Sequence, residues 1–196
     1  MKKYSVVLAD PPWEFVTYSD KGRKKSPKYP VMSFSALCSL PVCKIVDDNA
    51  ALFMWATWPT ISSAFTVMKA WGFEYRTLAF DWFKTTKNAK PHFGTGYYFR
   101  AGPEPCLLGV RGRMPVAVKN ERNIIVAPAR EHSRKPDDQY DKIERVYPFD
   151  VYNNRIELFA SNESANTAVQ YCYDVVGYDV DGRDIRCALD DMIRGG

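Results

Sequence analysis

The 196-residue chain has little cysteine: five residues, an odd number, with no CxxC pair among them. Cys38, Cys43, Cys106, Cys172 and Cys187 therefore read as reduced thiols, and neither a disulfide framework nor a metal site is expected. Histidine is scarcer still. His92 and His132 are the only two, and neither has a Glu two residues on, which excludes the H-x-E signature of a zinc deaminase. There is no G-x-S-x-G, which removes the usual nucleophile elbow of a serine hydrolase. Gly94-Thr95-Gly96 is too short for a dinucleotide fingerprint. No apolar run approaches the roughly 20 residues of a membrane crossing, and no repeat or low-complexity tract appears. Tyr4 to Ala9 is too short for a signal peptide and runs into Asp-Pro-Pro rather than small residues. The expectation is one cytoplasmic domain over residues 1–196 with no membrane partner.

What is present is apolar and aromatic: 46% hydrophobic and 14% aromatic residues, enough for a large core and an aromatic-rich pocket. The net charge of +4 is a weak signal, but its distribution is not even. Lys21, Arg23, Lys24, Lys25 and Lys28 crowd one loop, where they suit the phosphates of a nucleic acid.

That loop follows Asp10-Pro11-Pro12-Trp13, which closes the apolar run Val6-Val7-Leu8-Ala9. The placement is the C-terminal end of a buried strand, where open α/β sheets bind ligands. A carboxylate, two prolines that offer no N–H, and an aromatic plane make a rigid cup for a flat amine. Asp10 and the Pro11 carbonyl would accept hydrogen bonds from one NH2 group while Trp13 stacks on its ring.

Farther along, residues 14–31 and 85–102 read as long functional loops, the second holding Tyr97 and Arg100 for stacking and phosphate contact. Ser33 is an N-cap for Phe34 to Leu40. Ala50 to Ala56, Tyr75 to Phe83, Glu104 to Gly109, Asn123 to Ala127 and Arg155 to Phe159 read as strands. A helix ends near Trp71-Gly72, another runs from Pro136 through Tyr147, and Ala165 to Val175 has helical spacing. Pro105-Cys106 lies in an apolar strand and reads as a buried, inert thiol rather than the nucleophile of a cytosine-C5 methyltransferase.

The motifs taken together resemble the DPPW-type adenine N6-methyltransferases, the family of the catalytic subunit of the eukaryotic messenger-RNA adenosine methyltransferase, and especially its phage and bacterial DNA-modifying members. The resemblance runs nearly end to end. It rests on Asp10-Pro11-Pro12-Trp13, Tyr29-Pro30-Val31-Met32, Trp82-Phe83-Lys84, Glu104-Pro105-Cys106-Leu107-Leu108-Gly109, Ser133-Arg134-Lys135-Pro136-Asp137 and Arg155-Ile156-Glu157-Leu158-Phe159. It implies a Rossmann-like α/β fold in permuted motif order, with a twisted, mostly parallel sheet flanked by helices. It implies S-adenosyl-L-methionine as cofactor and methylation of the adenine 6-amino group, in DNA rather than RNA, on a flipped-out base. The resemblance assigns catalysis to Asp10, Pro11, Pro12 and Trp13, and substrate contacts to Tyr29, Lys84 and Glu104 beside the loop residues Tyr97 and Arg100. Cofactor contacts fall to Asp10, Lys135, Glu157, Phe159, Ser161, Asn162, Arg183 and Asp184.

Two departures stand out. Ala160-Ser161-Asn162-Glu163 replaces the family's Gly-Arg or Ala-Arg, so the arginine that commonly grips the cofactor is missing, and Arg134 holds the family's histidine position. The C-terminal stretch also admits a second register, in which strand, turn, helix and strand form the cofactor unit and Asp179 or Asp181 binds ribose hydroxyls. The rival functional reading is a non-catalytic nucleic-acid-binding subunit. A homodimer is compatible with the sequence, without any stretch that marks an interface.

Overall fold

The structure is a computed structural model that describes residues 2–14, 31–94, 98–130 and 134–195. β1 (Tyr4–Ala9) is buried almost throughout, as a strand covered on both faces must be. β2 (Val46–Trp55) starts with polar Asp47-Asp48-Asn49 and then buries Ala50 to Trp55 without a break. With β3 (Glu74–Thr85), β4 (Glu104–Arg111), β5 (Ile124–Pro128), β6 (Arg155–Leu158) and β7 (Tyr173–Val176) they form a sheet of seven strands among the described residues. The order is β5-β3-β4-β2-β1-β6-β7.

β4 runs antiparallel to both neighbours, and the other four neighbouring pairs are parallel. The chain reaches β4 from β3 through a loop and turns straight back, whereas a parallel neighbour needs a crossover. This is the mostly parallel, helix-flanked sheet that the resemblance implies.

Six helices occur among the described residues: α1 (Phe34–Cys38), α2 (Ile61–Ala70), α3 (Asp138–Val146), α4 (Asn162–Gln170), α5 (Tyr178–Asp181) and α6 (Ile185–Arg194). None is long and apolar enough to cross a membrane. The period-two alternation of the strands splits the core between the two faces. Val7, Ala9, Leu52 and Met54 pack with Leu37, Val67, Met68 and Trp71 from the α1–α2 region and with Leu189 of α6. Val6, Leu8, Phe53, Trp55 and Trp82 pack with Tyr140 and Ile143 of α3 and Ala168 of α4. Each such side chain contributes about 1.5–3 kcal/mol on burial.

Arg155 at the head of β6 is fully buried. Its guanidinium donates to the carbonyls of Tyr152 (3.0 Å) and Tyr147 (2.7 Å) and pairs with Glu144 at 2.6 Å.

One expected element differs. The helical stretch expected over Ala165 to Val175 ends at Gln170; Cys172 turns the chain at φ 61°, and Tyr173–Val176 becomes β7. Parallel pairing of this short β-branched run with β6 overrides the helical spacing. The outcome is the strand, turn, helix and strand unit of the second register.

Registers bring the functional ends together. Ala9 pairs with Met54 on one side and Leu158 on the other, and Leu158 pairs with Val176, so β1, β2, β6 and β7 end at one rim. Because β4 runs the other way, its first residue, Glu104, joins the same rim opposite Trp82 of β3.

Candidate active site

Asp10 and Phe159 each follow the last residue of adjacent parallel strands and therefore stand side by side. Between them opens a crevice at the rim of the sheet. Leu8, Asp10 and Trp55 line one wall, Phe159, Ser161, Ser164 and Glu157 another, and Arg134, Lys135 and Gln139 the third.

Asp10 keeps 41% of its side chain open to this crevice, and its Oδ2 accepts from Lys135 Nζ at 2.6 Å. Lys135 Nζ lies 3.6 Å from Glu104 Oε2, while the other Glu104 oxygen is paired with Lys84. Two lysines and two carboxylates thus alternate across the rim, three of the four side chains largely buried. Lys84 and Lys135 also stand 4.7 Å and 5.5 Å from the ring centres of Trp82 and Trp55, which shield the chain of charges from below.

Burial raises the Asp10 pKa from its ordinary value, opposed by the charge and hydrogen bond of Lys135; Glu104 raises it further and Lys84 lowers it. Burial pushes Glu104 upward as well, but Lys135 and Lys84 together overcome it and hold its carboxyl below the ordinary value. Glu157, 6% exposed, accepts from the Tyr140 hydroxyl at 2.6 Å. Its pKa is raised, first by burial and in part by the Asp10 charge, with the Tyr140 and Ser164 hydrogen bonds pulling the other way.

The Pro-Pro turn is held as rigidly as the two rings suggest. Trp13 N–H donates to the Pro11 carbonyl at 2.8 Å, closing a γ-turn, and Met32 N–H donates to the Pro12 carbonyl at 2.9 Å. The Pro11 oxygen therefore has one lone pair left for a ligand.

Trp13 requires a correction. Its ring is 6% exposed and its indole N–H donates to the Trp55 carbonyl at 3.1 Å, so it anchors the cup to β2 rather than offering a free stacking face. The apolar contacts of a large ring inside the core outweigh its presentation to a ligand.

Behind β6, Phe159 adopts φ 64° and stacks on Trp71, and Ser161 and Ser164 form a reciprocal capping box at the start of α4. Gly177, just after β7, lets the two loops touch. A Cβ there would lie 1.9 Å from the Ala160 carbonyl oxygen.

The structure thus gathers Asp10, Lys84, Glu104, Lys135, Glu157, Phe159 and Ser161 at one crevice and its rim. It does not bring Arg183 and Asp184 there. Arg183 pairs with Asp191, and Asp184 caps α6 by accepting from Arg186 N–H at 2.8 Å; both groups are satisfied by neighbours in the chain. Asn162 begins α4 as an exposed residue and Arg100 is exposed on its loop, neither lining the crevice. Tyr29, Tyr97, Lys21, Arg23, Lys24, Lys25 and Lys28 lie outside the described residues.

Trp55, Gln139, Ser164 and Arg134 line the crevice without having been singled out as site residues. Their signals were present: Trp55 ends its strand as Ala9 does, Gln139 lies in the first turn of the helix that follows Lys135-Pro136, and Ser164 completes Ser-x-x-Ser. Trp55 Nε1 donates to Gln139 Oε1 at 2.8 Å, fixing the ring beneath Lys135.

The crevice fits a cofactor with a positively charged centre and polar arms: carboxylates at Asp10 and Glu157, serine hydroxyls at a helix start, and an arginine bonded to the same helix. The comparisons agree. A family model described as MT-A70 matches residues 4–171. The type II methyltransferase M.MunI of Mycoplasma sp is 32% identical over 180 residues, covering 82% of this chain and 73% of that protein. The human N(6)-adenosine-methyltransferase catalytic subunit METTL3 is 30% identical over 190 residues, and the MT-A70-like N(6)-adenosine-methyltransferase of Arabidopsis thaliana 30% over 165. These matches cover 92% and 83% of this chain but 29% and 22% of the longer relatives. The chain belongs to the MT-A70 family, whose methyltransferases use S-adenosylmethionine as methyl donor.

Proposed function

We propose that this chain methylates the 6-amino group of adenine in DNA, and that Asp10 is the group that prepares the amine. The observation that carries the reading is the Asp10 carboxylate opening, at the end of β1, into the crevice formed with the end of β6. S-adenosylmethionine, when bound, supplies an electrophilic methyl group.

The amino nitrogen of adenine is a poor nucleophile because its lone pair is delocalised into the ring. Asp10 accepts one amino hydrogen and the free lone pair of the Pro11 carbonyl accepts the other. Together they hold the nitrogen pyramidal and stabilise the positive charge it develops. The carboxylate is then placed to receive the proton that the nitrogen sheds. For the amine to reach Asp10, Lys135 has to release Oδ2, and Glu104, 3.6 Å from Nζ, is its second anchor. Glu157, Phe159 and Ser161 hold the cofactor.

In duplex DNA the adenine must leave the stack, which costs a few kcal/mol. The 32% identity to a type II methyltransferase supports DNA. The N(6)-adenosine-methyltransferase relatives make RNA the second reading.

Incubation with labelled S-adenosylmethionine and separate adenine-containing DNA and RNA pools, followed by mass spectrometry of the nucleosides, tests the proposal. N6-methyldeoxyadenosine is the expected product. Methylation of the RNA pool alone would overturn the choice of polymer, and cofactor binding without product from either pool would favour a non-catalytic subunit.

A further inference from the structure

Two cations line the crevice, and they are not equivalent. Lys135 is held between Asp10 and Glu104. Arg134 shares one carboxylate, Asp137, with Arg130, at 3.1 Å and 2.7 Å, so that trio keeps a net positive charge beside the crevice. The Arg134 guanidinium is also fixed in orientation. Its terminal nitrogen donates to Asp137 and, at 3.3 Å, to the hydroxyl of Thr167 on α4, while its buried Nε has no hydrogen-bond partner among the described residues. Ser161 and Ser164, at the start of α4, line the same crevice one turn from Thr167. A planar, pre-oriented guanidinium beside the positive end of a helix suits a carboxylate better than an ammonium or an apolar group.

We infer that Arg134 receives the carboxylate of the amino-acid arm of the methyl donor, beside Ser161 and Ser164 at the start of α4. The inference rests on the methyltransferase reading above. It divides the crevice into a reactive end at Asp10 and an anion end at Arg134, so the arm's negative charge anchors the cofactor away from the carboxylates beside the reacting atoms. Arg134 is here a binding residue and takes no part in the chemistry at the amine.

The test is calorimetric and needs no turnover. Wild-type protein and Arg134→Ala are titrated with S-adenosylhomocysteine and with 5′-methylthioadenosine, which keeps the nucleoside thioether but lacks the amino-acid arm. One lost charge-assisted pair corresponds to about a ten- to hundredfold weakening. The expected result is that loss for S-adenosylhomocysteine, with the affinity for methylthioadenosine changed less than about threefold. Arg134→Lys, which keeps one charge, should recover part of the loss and serves as the folded control if the alanine variant melts early. Equal weakening of both ligands would mean that Arg134 only clamps α3 to α4 through Asp137 and Thr167, and an unchanged affinity for both would remove it from the site; either overturns the inference. Failure of the wild type to bind S-adenosylhomocysteine would overturn the methyltransferase reading itself.

Discussion

Replacing Gly177 by alanine probes the joint on which the cofactor side of the crevice depends. Gly177 has extended backbone, φ −172°, so the substitution introduces no conformational strain. The obstacle is space. The added Cβ would meet the Ala160 carbonyl oxygen at 1.9 Å and the Ala160 nitrogen at 2.7 Å, both backbone atoms that cannot rotate away. Relief requires the loops after β6 and β7 to part by more than an ångström. That movement breaks the hydrogen bond from Ala160 N–H to the Val176 carbonyl, 3.0 Å, and shifts Phe159 and Ser161 in the crevice wall. Overpacking with the loss of one hydrogen bond amounts to about 2–3 kcal/mol. For a domain of this size that lowers Tm by roughly 4–12 °C. Urea unfolding measures the stability and calorimetry with S-adenosylhomocysteine the site, where affinity should fall with it. Gly182 supplies the contrast: its φ of 69° is left-handed but nothing lies within 4 Å, so Gly182→Asn should be nearly neutral. A Gly177→Ala protein with wild-type stability and ligand affinity would refute the close approach.

Other substitutions separate the remaining parts. Arg155→Met should lower the unfolding free energy by about 2–4 kcal/mol, read in urea, because one buried and one partly buried carbonyl lose their donor and Glu144 its partner. Trp13→Phe removes the bond to the Trp55 carbonyl and should cost about 1 kcal/mol on the same scale. Glu121, paired with Lys142 and Arg145, has its pKa lowered to about 2. A carboxylate with a depressed folded pKa stabilises above its unfolded value and loses that contribution as pH falls, so Glu121→Gln should flatten the decline in stability between about pH 4.5 and 2. Lys135→Met removes the cation that opposes the burial of Asp10, so the acid limb of the pH–rate profile should move to higher pH.

The strand cores and the rim position of Asp10 were legible because buried apolar runs and their polar terminators are local signals. The C-terminal strand was not. Tyr173–Val176 takes its conformation from pairing with β6, and its helical spacing misleads on its own. The role of Trp13 was hidden for a related reason: an aromatic ring after a Pro-Pro turn looks the same whether it faces ligand or core, and only the position of the Trp55 carbonyl decides. Lys84, Glu104 and Lys135 were each identifiable as site residues, but their alternation with Asp10 depends on β4 running backwards between β2 and β3.

The central claim is that the Asp10 carboxylate prepares the amine, and one measurement tests it most directly. Methyl transfer by the wild type and Asp10→Ala is compared under saturating S-adenosylmethionine, with the product nucleoside identified by mass spectrometry and cofactor binding measured on the same preparations. The account predicts N6-methyladenine from the wild type and a loss of at least about 10²–10³-fold in Asp10→Ala at saturating cofactor. A variant that methylates adenine at the wild-type rate would contradict it.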